Sequence, residues 1–407
     1  MSSTGHSDRS FATASELLPG PDERRKLRKT RHLKDVGTRA LVSAAGYGVV
    51  ISLTLIFVFL FIEVLPLLRG ASMDDPVTYA TPGESGETAF LASERYQEAA
   101  VRFTLDGAVT FFNPQNGQFL AQEKLDFGGA AVRSFSSGEP RTGLVVYGLS
   151  DGRAAVVQHD YDLDFPDDVR QVLPKLSLPL DELLTPVDDA GQPLEVVAIQ
   201  RGSTGIGIAA ATADGRLLLT RYATRRSFMT GTTEFVRSSY ELPKPPAPPS
   251  RLLLDITMQI LLVGDSQGQL HYYDISSPAR AELLDSAQVA DDPAVSVTAL
   301  AHLLGTVSVI VGGSDGTLVQ YFLVRDENNI GRLTRVREFK SHEGAITTIF
   351  PEYSRKGFVV GDAAGGIGVH YGTSARTLLM RDVSDRPITH VSVSPRNDAL
   401  MWADGGS

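Results

Sequence analysis

Two stretches carry side chains of the right type and spacing to suggest chemistry. His342 stands beside Glu343, the residue types of an acid–base pair. Asp160, Asp162, Asp164, Asp167 and Asp168, in the run DYDLDFPDD, place five carboxylates close enough to suggest a calcium loop. Both have plainer readings. His342 opens a run of strand-like residues and reads as a strand-opening position. The aspartates alternate as on a strand with an acidic face, and no Gly or bidentate Glu sits at EF-hand spacing. His271, His370 and His390 fall in predicted strands as packed or surface residues. No two of the eight histidines have the i, i+4 helical spacing that builds a zinc site. Two glycine-rich strings, GSTGIGIAAATADG at 202–215 and GDAAGGIG at 361–368, lack both the Lys-Ser/Thr ending and the following helix of a phosphate loop. The chain has no cysteine, which removes disulfides and every thiolate chemistry. We therefore expect no catalytic, cofactor-binding or metal-binding residue, and no enzyme.

The elements that would carry these residues begin with an uncharged apolar run, Ala40 to Ile62 (ALVSAAGYGVVISLTLIFVFLFI). As a helix it covers about 34 Å, slightly more than a bilayer's hydrocarbon core. Arg24, Arg25, Lys26, Arg28, Lys29, Arg31 and Lys34 precede it, so the positive-inside rule puts the N-terminus in the cytoplasm and the bulk outside. A secretory signal has a shorter apolar core ending at small residues, whereas this run ends on IFVFLFIEVLPLL. A buried core helix seldom needs so long an uncharged stretch behind a basic cluster. An uncleaved anchor is the expectation. The expected organisation is a disordered basic cytoplasmic tail over 1–39, a transmembrane helix over 40–65, a linker over 66–86 and a periplasmic domain over 87–407.

Formal charge is −10 overall, but residues 1–39 hold nine Lys/Arg against five Asp/Glu, which leaves the remainder at −14. An acidic outer domain is a poor nucleic-acid binder, because counterion release needs clustered Lys/Arg. The basic arm suits lipid headgroups instead.

From residue 87 onward the pattern is mainly β. Apolar runs are punctuated by turns at Asp106-Gly107, Asp151-Gly152, Asp214-Gly215, Gln267-Gly268, Asp315-Gly316, Ala364-Gly365 and Asp404-Gly405, spaced 40 to 63 residues apart. We read each as a two-residue hairpin needing positive φ. A period near 50 with four strands per unit indicates propeller blades. Seven are expected, at 87–126, 130–182, 194–243, 250–285, 294–340, 343–382 and 388–407. The second holds a long Pro- and Asp-rich excursion, and the seventh is incomplete, with residues 87–94 available to lend it a closing strand. The chain reads as cut short.

Residues 342–371, HEGAITTIFPEYSRKGFVVGDAAGGIGVHY, resemble a degenerate WD-repeat blade. His342-x-Gly344 opens it, and Tyr371 stands where tryptophan is usual, as Tyr273-Asp274 does in the fourth repeat. The WD dipeptide itself is missing, and with it the assurance of the family's hydrogen-bonded tetrad. Quinone-dependent dehydrogenases also use propellers, but one tryptophan and no cysteine argue against them. RHLKDVGTRALVSAAGYGVVISLTLIFVFLFIEVLPLL followed by repeats through SVSPRNDALMWADG resembles the N-terminal part of the phosphate-specific ABC transporter permease, in its long Gram-negative form. That resemblance implies an inner-membrane protein engaged in phosphate transport. It implies as partners the rest of the permease core, an ATPase subunit and a periplasmic phosphate-binding protein. No second apolar run of spanning length follows Ile62, so transport would belong to the parent protein. The alternative is a stand-alone, membrane-tethered propeller that scaffolds envelope proteins.

Overall fold

A computed structural model describes residues 21–65, 71–226 and 233–405. The polar tail 1–20, residues 66–70 of the expected linker and residues 406–407 lie outside the described residues. The chain divides into two units, Met1–Ala71 and Ser72–Ser407.

Among its described residues the first unit holds the helix α1 (Pro21–Val64), 44 residues long. Its basic first part and its apolar second part form one uninterrupted rod. The apolar window has a mean hydropathy of 2.5. Among the described residues, one helix is therefore long and apolar enough to cross a membrane.

The second unit is a β-propeller of six blades, not the expected seven. Blades one to six cover residues 88–124, 132–186, 194–242, 249–288, 297–338 and 346–382. Each is an antiparallel meander in chain order. In place of a seventh stands a two-stranded hairpin, Ile388–Val393 and Leu400–Asp404. The expected loan of a closing strand does not occur: residues Thr88–Ser93 pair within blade one, against Ala100–Thr104. From blade two onward the first strands adjoin one another around the ring, Ile388–Val393 adjoins Thr88–Ser93, and blades one and two meet through the Phe90 and Phe135 rings, 6.1 Å between centroids.

A single blade leaves both faces of a sheet apolar, so the core is distributed between blades. Six clusters lie between successive units, for example Leu217, Leu219, Leu254, Leu261 and Val263 between blades three and four. Burying each such side chain stabilises the ring by about 1.5–3 kcal/mol. Close approach is enforced at Gly264 and Gly361, where an added Cβ would fall 2.4 Å from Val297 and 2.6 Å from Ile388 of the next unit. All seven first strands carry a β-bulge after their first residue, including Ile388–Val393, which marks that hairpin as a shortened blade. Ser134, Ser250 and Thr347 each donate a hydroxyl to the first carbonyl of the next inner strand, at Leu194, Val297 and Ile388.

The Asp-Gly signals mark the turns between second and third strands of blades one to six. Their glycines all have φ between 75° and 93°. The preceding residue is not left-handed, and the glycine N–H returns three residues, as from Gly107 to Thr104 and Gly215 to Thr212. These are type I turns followed by a left-handed glycine, not two-residue hairpins.

Residues 72–86, expected as linker, form a strap without regular structure that is bound to the ring. Arg381, on the outer strand of blade six, donates to the carbonyls of Met73 and Asp74 and pairs with Asp75 at 3.0 Å. Tyr79 packs edge-on against Phe112 of blade one, 6.3 Å between centroids, and its hydroxyl donates to Pro114 O at 2.9 Å. Tyr79, Met401 and Ala403 cover the seventh and smallest core cluster, Leu91, Ala100 and Phe112. Arg102, a fully buried guanidinium, donates to Thr88 Oγ1 and to the carbonyls of Pro82, Glu84 and Gly86. The strap thus covers the walls that the missing outer strands of the short hairpin leave bare.

Candidate protein-interaction face

The two histidines with the most chemical promise lie inside a blade. His342 precedes the first strand of blade six (Ile346–Pro351) and is buried, whereas Glu343 is exposed. The carboxylate that His342 meets is Asp362, with Nδ1 2.7 Å from Oδ2. Its Nε2 lies 3.2 Å from Nε2 of His370, whose Nδ1 lies 3.1 Å from Thr377 Oγ1. Burial and the neighbouring His342 lower the His370 pKa to about 3, so it is neutral. With Nδ1–H of His342 donating to Asp362, one consistent arrangement has His370 Nε2–H donating to His342 and Thr377 O–H donating to His370. Blade four builds a shorter version from a different strand: His271 bonds Asp265 at 2.9 Å and Ser286 at 2.7 Å. His271, His342 and His370 are all buried, and their bonds fasten strands. His390 lies on the first strand of the short hairpin with its pKa lowered to about 4 by burial.

The five aspartates lie in blade two, on the end of its third strand (Arg153–Asp164) and in the turn that follows. That strand is long enough to need two outer partners, Gln171–Ser177 and Leu184–Pro186. The excursion is therefore a protruding hairpin plus a strand. The string 202–215 spans a hairpin and the second strand of blade three, and 361–368 is the turn of blade six.

Meander order sends the hairpins between first and second strands, and those between third and fourth, to one side of the ring. On that side blades one and two and the short hairpin interlock. In the hairpin over residues 94–99, Glu94 is buried and its carboxylate accepts the Tyr96 N–H at 2.8 Å. Arg170, just past the acidic turn of blade two, donates to Glu94 at 3.3 Å and pairs with Glu98. Its guanidinium lies 4.4 Å from the centre of the Tyr96 ring, and those of Arg95 and Arg396 lie 5.8 and 5.7 Å away. Each such contact contributes about 0.5–1 kcal/mol at an exposed site. Gln97 bonds Asp398 at 3.1 Å, which also holds Arg396 at 3.0 Å. From blade two, Arg141 reaches the Tyr353 carbonyl of blade six, and Asn397 accepts the Tyr353 N–H at 3.1 Å. Tyr96 stays 47 % exposed at the middle of this network. A fixed aromatic ring among arginines is the composition of a protein–protein hot spot.

Sequence reading did not find Tyr96, Arg170 or Arg396. They come from three units of the ring, and only blade order brings them together.

In fold the chain is similar to the β-propeller domain of Myceliophteria thermophila Cps50 (Swd1), with a TM-score of 0.57 and 12 % identity over 81 % of this chain and 97 % of that one. It is also similar to the computationally designed Ika8 protein, with a TM-score of 0.50 and 17 % identity over 80 % of this chain and 82 % of that one. At these identities the likeness concerns the propeller fold alone. No protein-family model and no curated protein matches the chain.

Proposed function

We propose that this chain is a membrane-tethered docking propeller that binds other proteins through the face carrying Tyr96. The observation that carries the reading is the exposed Tyr96 ring held among three guanidinium groups from separate units. Propellers commonly mediate protein interactions, and the residue pattern here is that of an anchor point. The apolar part of α1, wholly exposed, supplies the tether, and the basic residues before it favour an N-terminus inside and a propeller outside. In its finer form the reading makes this the outer region of a phosphate-importer permease. The order of basic arm, span and propeller supports that form, with a periplasmic phosphate-binding protein as the partner docked.

Two measurements test it. Reporter fusions just past Arg69 are expected to give active alkaline phosphatase and a dark cytosolic fluorophore; the reverse result removes the outside location. Tyr96→Ala with Arg170→Ala is expected to weaken capture of the phosphate-binding protein at least about tenfold. Absence of capture by the unmodified chain, with phosphate or without, removes the permease form.

A further inference from the structure

The hairpin of blade two has a two-sided character that the ring does not use. Its register pairs Tyr161 with Pro174 and Leu163 with Val172 on one face. The opposite face pairs Asp160 with Lys175, Asp162 with Leu173 and Asp164 with Gln171. One side of the projecting ribbon is apolar and the other acidic. Near the ring the apolar side is consumed: Tyr161 meets Phe111 of blade one edge-on, 6.3 Å between centroids. Farther out nothing among the described residues covers it. Leu163 is 53 % exposed, and at the tip Phe165 and Val169 are 57 % and 65 % exposed. Clustered large apolar groups left in water mark an interaction site.

The ribbon is held in place. Arg170, beside Val169, reaches back to Glu94, Glu98 and the Tyr96 ring. The turn at 166–168 sets Asp167 and Asp168 at φ 53° and 61° at the outer end. Among the described residues, Asp162 is the one of these five carboxylates that pairs with a cation, Lys175 at 3.2 Å.

We propose that this ribbon docks a cationic amphipathic segment of another protein. The segment's apolar side covers Leu163, Phe165 and Val169, and its Lys or Arg side chains meet Asp164, Asp167 and Asp168 at the outer end of the ribbon. Charge selects the occupant. A second copy would bring an outer domain that is itself strongly acidic, and an anionic lipid surface would be repelled by the same carboxylates. The proposal rests on the docking reading above and adds to it the site and the partner's chemistry.

The test uses the full chain in nanodiscs of zwitterionic lipid, with empty discs subtracted. Three fluorescein-labelled 18-residue peptides, Lys/Leu amphipathic, Glu/Leu amphipathic and Lys/Gln polar, are titrated by fluorescence anisotropy. The Lys/Leu peptide is expected to bind tightest. Leu163→Ser with Phe165→Ser, and separately Asp164→Asn with Asp167→Asn and Asp168→Asn, each weaken it about tenfold. Leu378→Ser, an exposed leucine on blade six, leaves it unchanged. The aspartate triple variant removes no packing and decides the matter if the apolar variant misfolds. Equal binding of Lys/Gln and Lys/Leu peptides, tight binding of Glu/Leu, or unchanged affinity in the variants overturns the proposal. No peptide binding by the unmodified chain removes this site and leaves the Tyr96 face standing. A cytosolic reporter result removes the outside location and leaves this site standing.

Discussion

His342, Asp362, His370 and Thr377 show how one residue's role depends on partners that are remote in sequence. Glu343 is adjacent in the chain yet points to solvent, while Asp362 closes the pair from the turn of the same blade. Truncating Asp362 leaves buried donors without a partner at His342 and at the N–H groups of Ala364 and Gly366, which it also accepts. Loss of a buried network of this kind costs about 2–4 kcal/mol. In urea unfolding, Asp362→Ala is therefore expected to lower stability clearly, whereas Glu343→Ala changes it by less than about 0.5 kcal/mol. Equal effects of the two would refute the burial argument. What sequence showed at this scale was residue type. It did not show pairing, because His342 lies 20 residues from Asp362 and 28 from His370 in the chain.

At the scale of elements, the strap and the short hairpin form one device. Tyr79 of the strap and Met401 and Ala403 of the hairpin pack on one cluster, and Arg102 holds three strap carbonyls from inside blade one. Arg102→Met keeps most of the apolar stem and removes every donor. It is expected to release residues 79–86, read as loss of amide-exchange protection there, while Arg381→Met loosens residues 73–75. Retained protection at both places would mean that packing at Tyr79 alone holds the strap. Composition concealed this element. A Gly-, Pro-, Ser- and Asp-rich stretch reads as linker whether or not it is bound, and the decisive groups, Arg102 and Arg381, lie in strands outside it. Hairpin turns were far more legible, since left-handed φ is demanded of one residue and glycine supplies it locally. The extra turn residue escaped notice because Asp-Gly serves both turn types.

Burial lowers the pKa of four imidazoles in the ring. Desolvation lowers His159, His302 and His390 to about 4, and His370 to about 3. In the unfolded chain histidine titrates near 6.5. Between these values the unfolded state binds more protons than the folded one, so stability falls as pH falls from about 6.5 toward 4. Each group contributes at most about 1.4 kcal/mol per pH unit. Urea midpoints measured from pH 7.5 to 4.5 are expected to decline below pH 6.5. His159→Phe, in its setting of Phe90, Phe103 and Tyr161, flattens that decline. A flat profile in the unmodified protein would contradict the buried neutral state. At this scale sequence period announced the propeller, because each repeat must present the same turn and strands. Blade count was harder to read: two strands suffice to start a seventh unit, and sequence does not reveal what fills the remainder.

That filling has a consequence for how the propeller can be cut loose. Cleavage after residue 86 would remove the wedge together with the tether, baring Phe112 and the Arg102 guanidinium to solvent in one stroke. Cleavage near residue 71 would free the ring with its plug intact. A protease that trims the first of these sites would leave a sticky, unlatched product, and one that trims the second a clean soluble wheel.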